Sequence, residues 1–198
     1  MYSFFLKYFF IFFITYIYSS NLQLIEESNE WIELQNKEIK IFWIEQNESY
    51  FCKSSMIYNF PINKIKKILD NKLKYSKVFK RIEFCNVIKE DVVHMAIDLP
   101  FPFYSRDYIV EYQYYKHNEY EYYIYNAVNN LNVPKYKNYI RLINASGLWK
   151  LDKIDSSNTK VTYLWNGELL GDFPSWALSK AWISQGNEVL IDLRNELK

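Results

Sequence analysis

Four glycines, two cysteines and two histidines are all that the 198 residues contain of these types. The glycines form no G-x-G-x-x-G or P-loop that would cradle a phosphate, and no G-x-S-x-G elbow that would present a nucleophile. His94 falls in a strand-like run and His117 in a polar turn, with no H-E-x-x-H and no metal-ligand spacing around either. Cys52 and Cys85 are too far apart in sequence for a C-x-x-C pair and make no metal site of their own. They read as buried thiols behaving as small hydrophobes, although export would permit their oxidation. Charge of one sign is missing too. The formal net charge is +1 with acidic and basic residues interspersed, and the lack of a basic tract argues against a nucleic-acid partner. No catalytic residue, metal or cofactor is assigned.

What the chain has instead is apolar and aromatic surface. Hydrophobic residues make up 49% and aromatics 20%, including 19 Tyr, a composition suited to pleated, half-buried strands. The length fits one domain that buries a core without disulfides or metals. Residues 1–20 stand apart. Met1 to Tyr18 is almost wholly Phe, Ile, Tyr and Leu with Lys7 as its charge, and Ser19, Ser20 and Asn21 follow. This pattern reads as a secretory signal peptide, with an uncleaved signal anchor or a buried N-terminal helix as alternatives. No Cys follows closely enough for a lipid anchor. The expected location is exported, periplasmic or secreted, or else membrane-anchored through residues 1–20.

Residues 21–198 form the expected domain. Leu22 to Gln35 has the spacing of a short amphipathic helix. Ile39–Glu45 and Tyr50–Tyr58 read as strands around a Gln46-Asn47-Glu48-Ser49 turn. Pro61 opens a helix in which Ile62, Ile65, Leu69 and Leu73 share one face. A meander of strands follows: Ile82–Ile88, Val92–Leu99, Tyr108–Tyr115, Tyr120–Val128, Ile140–Leu151 and Val161–Leu170. Pro100-Phe101-Pro102-Phe103 interrupts it, because Pro gives nothing to a ladder. From Pro174 to Lys198 a terminal helix places Leu178, Trp182, Val189 and Leu193 on one face and Lys180, Ser184, Glu188 and Asp192 on the other, with Asp172 placed to cap it.

Arg106 and Asp107 are adjacent, so on a strand they point to opposite faces. Arg106 is expected to make a salt bridge anchoring the Pro100–Tyr104 loop, or to present its guanidinium to an anionic group. Asn47-Glu48-Ser49 and Asn144-Ala145-Ser146 match the N-glycosylation pattern, which carries little weight in a chain so rich in Asn.

Taken in order, several pieces resemble a START domain, the helix-grip family of lipid-binding and lipid-transfer modules. They are Pro100 and Pro102 ahead of Arg106-Asp107-Tyr108-Ile109, then Gly147-x-Trp149-x-Leu151, Val161-Thr162-Tyr163, Gly171-x-x-Pro174-x-Trp176, and the closing helix to Leu193-Arg194. The similarity runs from about Trp31 to the C-terminus. It implies an α+β helix-grip fold, in which a long curved antiparallel sheet wraps around the C-terminal helix and a tunnel lies between them. It also implies that the strand carrying Cys52 lies beside the last strand and that of Cys85 at the far edge, so no Cys52–Cys85 disulfide is expected. Two positions depart from the family pattern. Tyr112 stands where the steroid-binding branch has a cavity Arg, and Ser105 replaces a Pro.

The resulting expectation is a non-catalytic, monomeric carrier of a lipid or other hydrophobic small molecule, with transient membrane contact. The expected ligand-binding residues are Leu178, Trp182, Gln185, Val189, Tyr112, Trp165 and Arg106, with Phe101 and Phe103 in a gate loop. The alternatives are a cyclase- or hydrolase-like enzyme using the same cavity, with His94 and Asp98 together on one strand face, or a membrane-anchored interaction module.

Overall fold

Strand pairing dominates the computed structural model, which describes residues 22–170 and 173–198. Residues 1–21 and Gly171 and Asp172 fall outside the described residues, and with them the signal segment and the expected Asp172 cap. A helical segment over residues 22–27, α1, opens the chain. Three strands follow: β1 (Ile32–Asn36), β2 (Lys40–Gln46) and β3 (Ser49–Tyr58). Then come α2 (Ile62–Asp70), a 3₁₀ turn (Lys72–Lys74) and α3 (Tyr75–Val78). The meander consists of β4 (Ile82–Lys89), β5 (Val92–Ile97), β6 (Ser105–Lys116), β7 (Tyr120–Ala127), β8 (Tyr139–Arg141), β9 (Ser146–Lys153) and β10 (Thr159–Asn166). The helix α4 (Ser175–Glu196) closes the chain.

The order in the 10-stranded sheet is β1-β2-β3-β10-β9-β7-β6-β5-β4, with β8 added in parallel to β6. All other pairings are antiparallel. This is an α+β helix-grip fold, with the curved sheet closed around α4. Cys52 on β3 lies opposite Trp165 on β10, while Cys85 lies on the edge strand β4. Both thiols are free and buried. Burial pushes the Cys52 thiol well up and that of Cys85 to about 12, so both stay protonated and weakly reactive.

Local chemistry accounts for most boundaries. Asn47 and Glu48 both take positive φ, 51° and 61°, as a two-residue hairpin requires if its twist is to match its strands. Pro61 precedes α2 with φ −67°, where its missing N–H costs no hydrogen bond. Asp155 accepts from the backbone N–H groups of Ser157 and Asn158 at 2.7 and 2.8 Å, fixing the turn between β9 and β10. Gly147 lies in register between Tyr125 and Trp165. A Cβ there would strike the Leu164 carbonyl oxygen and the Tyr125 ring. The gap lets Tyr125 lean across to Tyr163, the two hydroxyls lying 3.2 Å apart.

Several expectations are corrected. The amphipathic helix over Leu22 to Gln35 is only residues 22–27. Ile32–Asn36 is β1, because pairing with the open edge of β2 satisfies its backbone where a short helix would not. Leu73 leaves the α2 face, since the helix ends at Asp70 and Leu73 is 67% exposed. The run Ile140–Leu151 is two strands. Arg141 binds the Asp107 carboxylate and the Leu142 N–H donates to the Asp107 carbonyl at 2.8 Å, which fastens β8 to β6 before the chain turns into β9.

The two faces of the sheet have different covers. Alternation sends Tyr108, Tyr112, Tyr125, Trp149 and Tyr163 to the inner face, under α4. It sends Tyr122, Ile124, Leu148 and Leu164 outward, where Leu22 and Ile25 of α1 cover them. Lys150 extends to Glu26 at 2.9 Å and pins α1 down. Gly186 brings α4 close to the sheet, since a Cβ there would lie 3.1 Å from both Ile41 and Ser54.

Candidate ligand-binding site

Between the inner face and α4 lies a cavity of about 280 Å³. Met95 and Ile97 of β5 line it, with Tyr108 and Tyr112 of β6, Tyr125 of β7, Trp149 of β9 and Tyr163 of β10. Tyr75 and Phe79 close one side. From the helix, Ala177, Ala181, Gln185 and Val189 contribute, a stripe at i, i+4, i+8 and i+12 that faces one way. The two alanines leave the space that a larger residue would fill. A smaller space of about 40 Å³ adjoins it, bordered by Arg106, Trp165, Glu168 and Gln185.

Aromatic packing builds the walls. Trp149 lies 4.5 Å from Tyr163 and 5.9 Å from Phe79 between ring centres, and Tyr112 lies 5.4 Å from Tyr125. Tyr163 and Gln185 border the cavity together. Tyr75 donates to the Leu69 carbonyl at 2.7 Å. Among the described residues the hydroxyls of Tyr108 and Tyr112 have no hydrogen-bond partner. Burial, reinforced by neighbouring tyrosines, pushes the phenols of Tyr75, Tyr108, Tyr112 and Tyr125 well above the ordinary range. They are therefore neutral donors.

Charge gathers at the rim. Arg81 donates to Glu188 through Nη2 at 2.8 Å and also through Nε, and Ser184 donates to Glu188 at 2.8 Å. Burial pushes the Glu188 carboxyl up, but the bonds from Arg81 and Ser184 outweigh it and hold the group below its usual range. Asp192 accepts from the Lys80 backbone N–H at 2.9 Å, with Lys80 Nζ at 3.5 Å. Lys180, Ser184, Glu188 and Asp192, expected on the side of the helix away from the apolar face, border the cavity instead. Apolar periodicity finds the packed stripe of a helix, and a stripe facing a cavity mouth carries polar groups.

At the far end two segments meet. Phe103 packs on Phe173 at 4.5 Å between ring centres. Arg106, almost fully buried, donates to the carbonyls of Leu169 at 2.8 Å and Leu170 at 2.9 Å, and to that of Tyr104. Leu170 is held at φ 48°, a conformation uncommon for a residue with a Cβ. Among the described residues, then, Arg106 binds carbonyls rather than the expected carboxylate partner. It joins the Pro100–Tyr104 loop to the segment after β10.

The expected site residues divide accordingly. Gln185, Val189, Tyr112 and Phe103 line the cavity, and Trp165 and Arg106 border the smaller space. Trp182 does not line it. Its ring stacks on Trp43 at 5.7 Å and its Nε1 donates to the Gly167 carbonyl at 2.8 Å, so it packs α4 against β2. Leu178 is partly buried against the core rather than in the cavity wall. Phe101 points into solvent, 96% exposed. Tyr108, Tyr125, Trp149 and Tyr163 form a wall not among the expected site residues, although Tyr108, Trp149 and Tyr163 stand in the family-like motifs. Their in-out alternation was the available signal. His94 and Asp98 do not come together. His94 faces outward, with Nε2 2.7 Å from Asp107 and its ring stacked 5.8 Å from Tyr136. Asp98 accepts from Ser105 at 3.3 Å. Among the described residues no cluster of His, Cys, Asp and Glu that could hold a metal ion is present, and no helix is long and apolar enough to cross a membrane.

This architecture, a sheet gripping a terminal helix around an apolar cavity, is that of START domains. The chain superimposes on human StAR-related lipid transfer protein 5 with a TM-score of 0.80 at 11% identity, covering 92% of this chain and 93% of that one. A STAR-related lipid transfer protein fragment from Xanthomonas axonopodis gives 0.75 at 19% identity, over 85% and 99%. The Zhui aromatase/cyclase from Streptomyces sp. R1128 gives 0.53 at 14% identity, over 74% and 92%. At these identities the likeness is one of fold. No family model and no curated protein sequence matches the chain.

Proposed function

We propose that this protein is an exported carrier that binds a hydrophobic small molecule, such as a lipid, between its sheet and terminal helix without chemical turnover. The observation that carries this reading is the aromatic-lined cavity of about 280 Å³ beneath α4. Removing apolar ligand surface from water there gains about 25 cal/mol per Å². The lipid transfer names of the human and Xanthomonas structures support the same reading, and the charged groups Arg81, Glu188, Lys80 and Asp192 at the rim bind one another.

Export rests on the apolar segment from Met1 to Tyr18. Transient membrane contact rests on Phe101 and Trp176, 96% and 75% exposed, which flank the meeting point of Phe103 and Phe173 in sequence. Opening of the Pro100–Tyr104 loop from the start of α4 would admit the ligand, and the carrier acts as a monomer. Native mass spectrometry of protein purified from its own host tests the central claim. A co-purifying hydrophobic molecule is expected, and a chain that emerges empty and fails to take up any hydrophobic probe overturns it. N-terminal sequencing of the mature protein tests export, with a new terminus near Asn21 expected.

A further inference from the structure

Building on the carrier reading, we propose that the cavity takes a neutral, planar, fused-ring molecule bearing an oxygen that accepts hydrogen bonds from Tyr108 and Tyr112. Size is the first reason. A cavity of about 280 Å³ sits at the lower limit of the roughly 300–1,000 Å³ usual for sites of drug-sized ligands. It has room for one ring system, and two acyl chains with a head group exceed it.

Shape is the second. The walls are flat rings, with Trp149 between Tyr163 and Phe79 at interplanar angles of 34° and 30°. Aromatic faces reward an offset-stacked or edge-on planar guest, whereas a flexible chain would lose rotamer freedom for the same contact.

Polarity is the third. Tyr125 and Tyr163 are bonded to each other and Tyr75 to Leu69. Tyr108 and Tyr112, only 7% and 6% exposed, have no partner among the described residues. Both line the cavity, so a ligand carbonyl or ether oxygen there would take the place of water as the acceptor of their hydroxyls, a net gain of about 1 kcal/mol per bond. No charge is called for, because the rim cations Arg81 and Lys80 already face Glu188 and Asp192, and Lys180 stands exposed at the edge.

The test is equilibrium dialysis of the full chain against four probes: flavone, anthracene, hexadecanol, and vesicles of dioleoylphosphatidylcholine. Flavone is expected to bind one to one and more tightly than hexadecanol or the phospholipid. Tyr108→Phe and Tyr112→Phe should each weaken flavone about fivefold, the worth of one net hydrogen bond, while leaving anthracene unchanged. Anthracene lacks an acceptor, so an equal loss for both rings would mean disturbed packing and would overturn the assignment of the hydroxyls. Preference for hexadecanol or phosphatidylcholine would overturn the ring-ligand proposal and leave the carrier reading standing. Failure of the folded chain to bind any of the four would overturn both.

Discussion

Tyr58 donates its hydroxyl to the carbonyl oxygen of Leu190 at 2.7 Å, and both residues are buried. The bond joins β3 to the middle of α4, so the helix is held by a directed contact as well as by packing. Tyr58→Phe keeps the ring and removes only this bond. A loss of about 1 kcal/mol in unfolding free energy is expected, read from the midpoint of urea denaturation.

Asp107 is the centre of a buried outward-facing group, accepting from Arg141 Nη2 at 2.6 Å and Nε at 2.9 Å, with His94 at 2.7 Å. Burial pushes its carboxyl up, but the bonds from Arg141 and His94 prevail and hold it below the ordinary range. A carboxyl lowered on folding stabilises above its unfolded value, about 4, and that contribution is lost as pH falls through the folded value. Asp107→Asn should therefore cost about 3 kcal/mol at pH 7 by stranding Arg141. The difference from the parent should shrink in denaturation curves taken near pH 3.

Arg106 joins the carbonyls of Leu169, Leu170 and Tyr104. Lys carries the charge without the planar fork, so Arg106→Lys should loosen both segments without unfolding the sheet. Protease cleavage within Pro100–Tyr104 should accelerate several-fold, and bound ligand should leave faster. A melting temperature lower by about 5 °C is expected from roughly 2 kcal/mol of lost charged hydrogen bonds.

Val189 projects from α4 into the cavity. Val189→Trp fills that space with a rigid ring. Uptake of hydrophobic probes should fall at least tenfold while far-UV circular dichroism stays that of the parent. Retained uptake would place the ligand elsewhere.

Much of this fold could be read in advance, for physical reasons particular to each part. The hairpins at Asn47-Glu48 and Asp155–Asn158 are written in local turn chemistry. Alternation along Tyr108 to Tyr115 fixed which residues share a face, and the order of the motifs from Pro100 to Leu193 implied the neighbours of the Cys52 and Cys85 strands. The partner of Arg106 was not legible, because backbone carbonyls leave no trace in residue identity. Neither was the side of α4 that faces the cavity. Hydrophobicity points to Trp182 and Leu178, yet a Trp is as well suited to stacking on Trp43 as to touching a ligand. The residues that do border the space, Ala177, Ala181 and Ser184, are small because they make room. The pairing of β8 with β6 depends on Arg141 reaching Asp107 across 34 positions, a distance that no local pattern spans.

The cover that α1 gives the outer face sets a limit on where this chain can be shortened. Leu22 and Ile25 shield Ile44, Phe51, Tyr122, Ile124, Leu148 and Leu164. A chain beginning at Trp31 would present that patch to water, and exposed apolar surface of this kind drives self-association. Any cleavage that left this face covered would therefore have to fall ahead of Leu22. The same boundary marks the shortest version worth expressing.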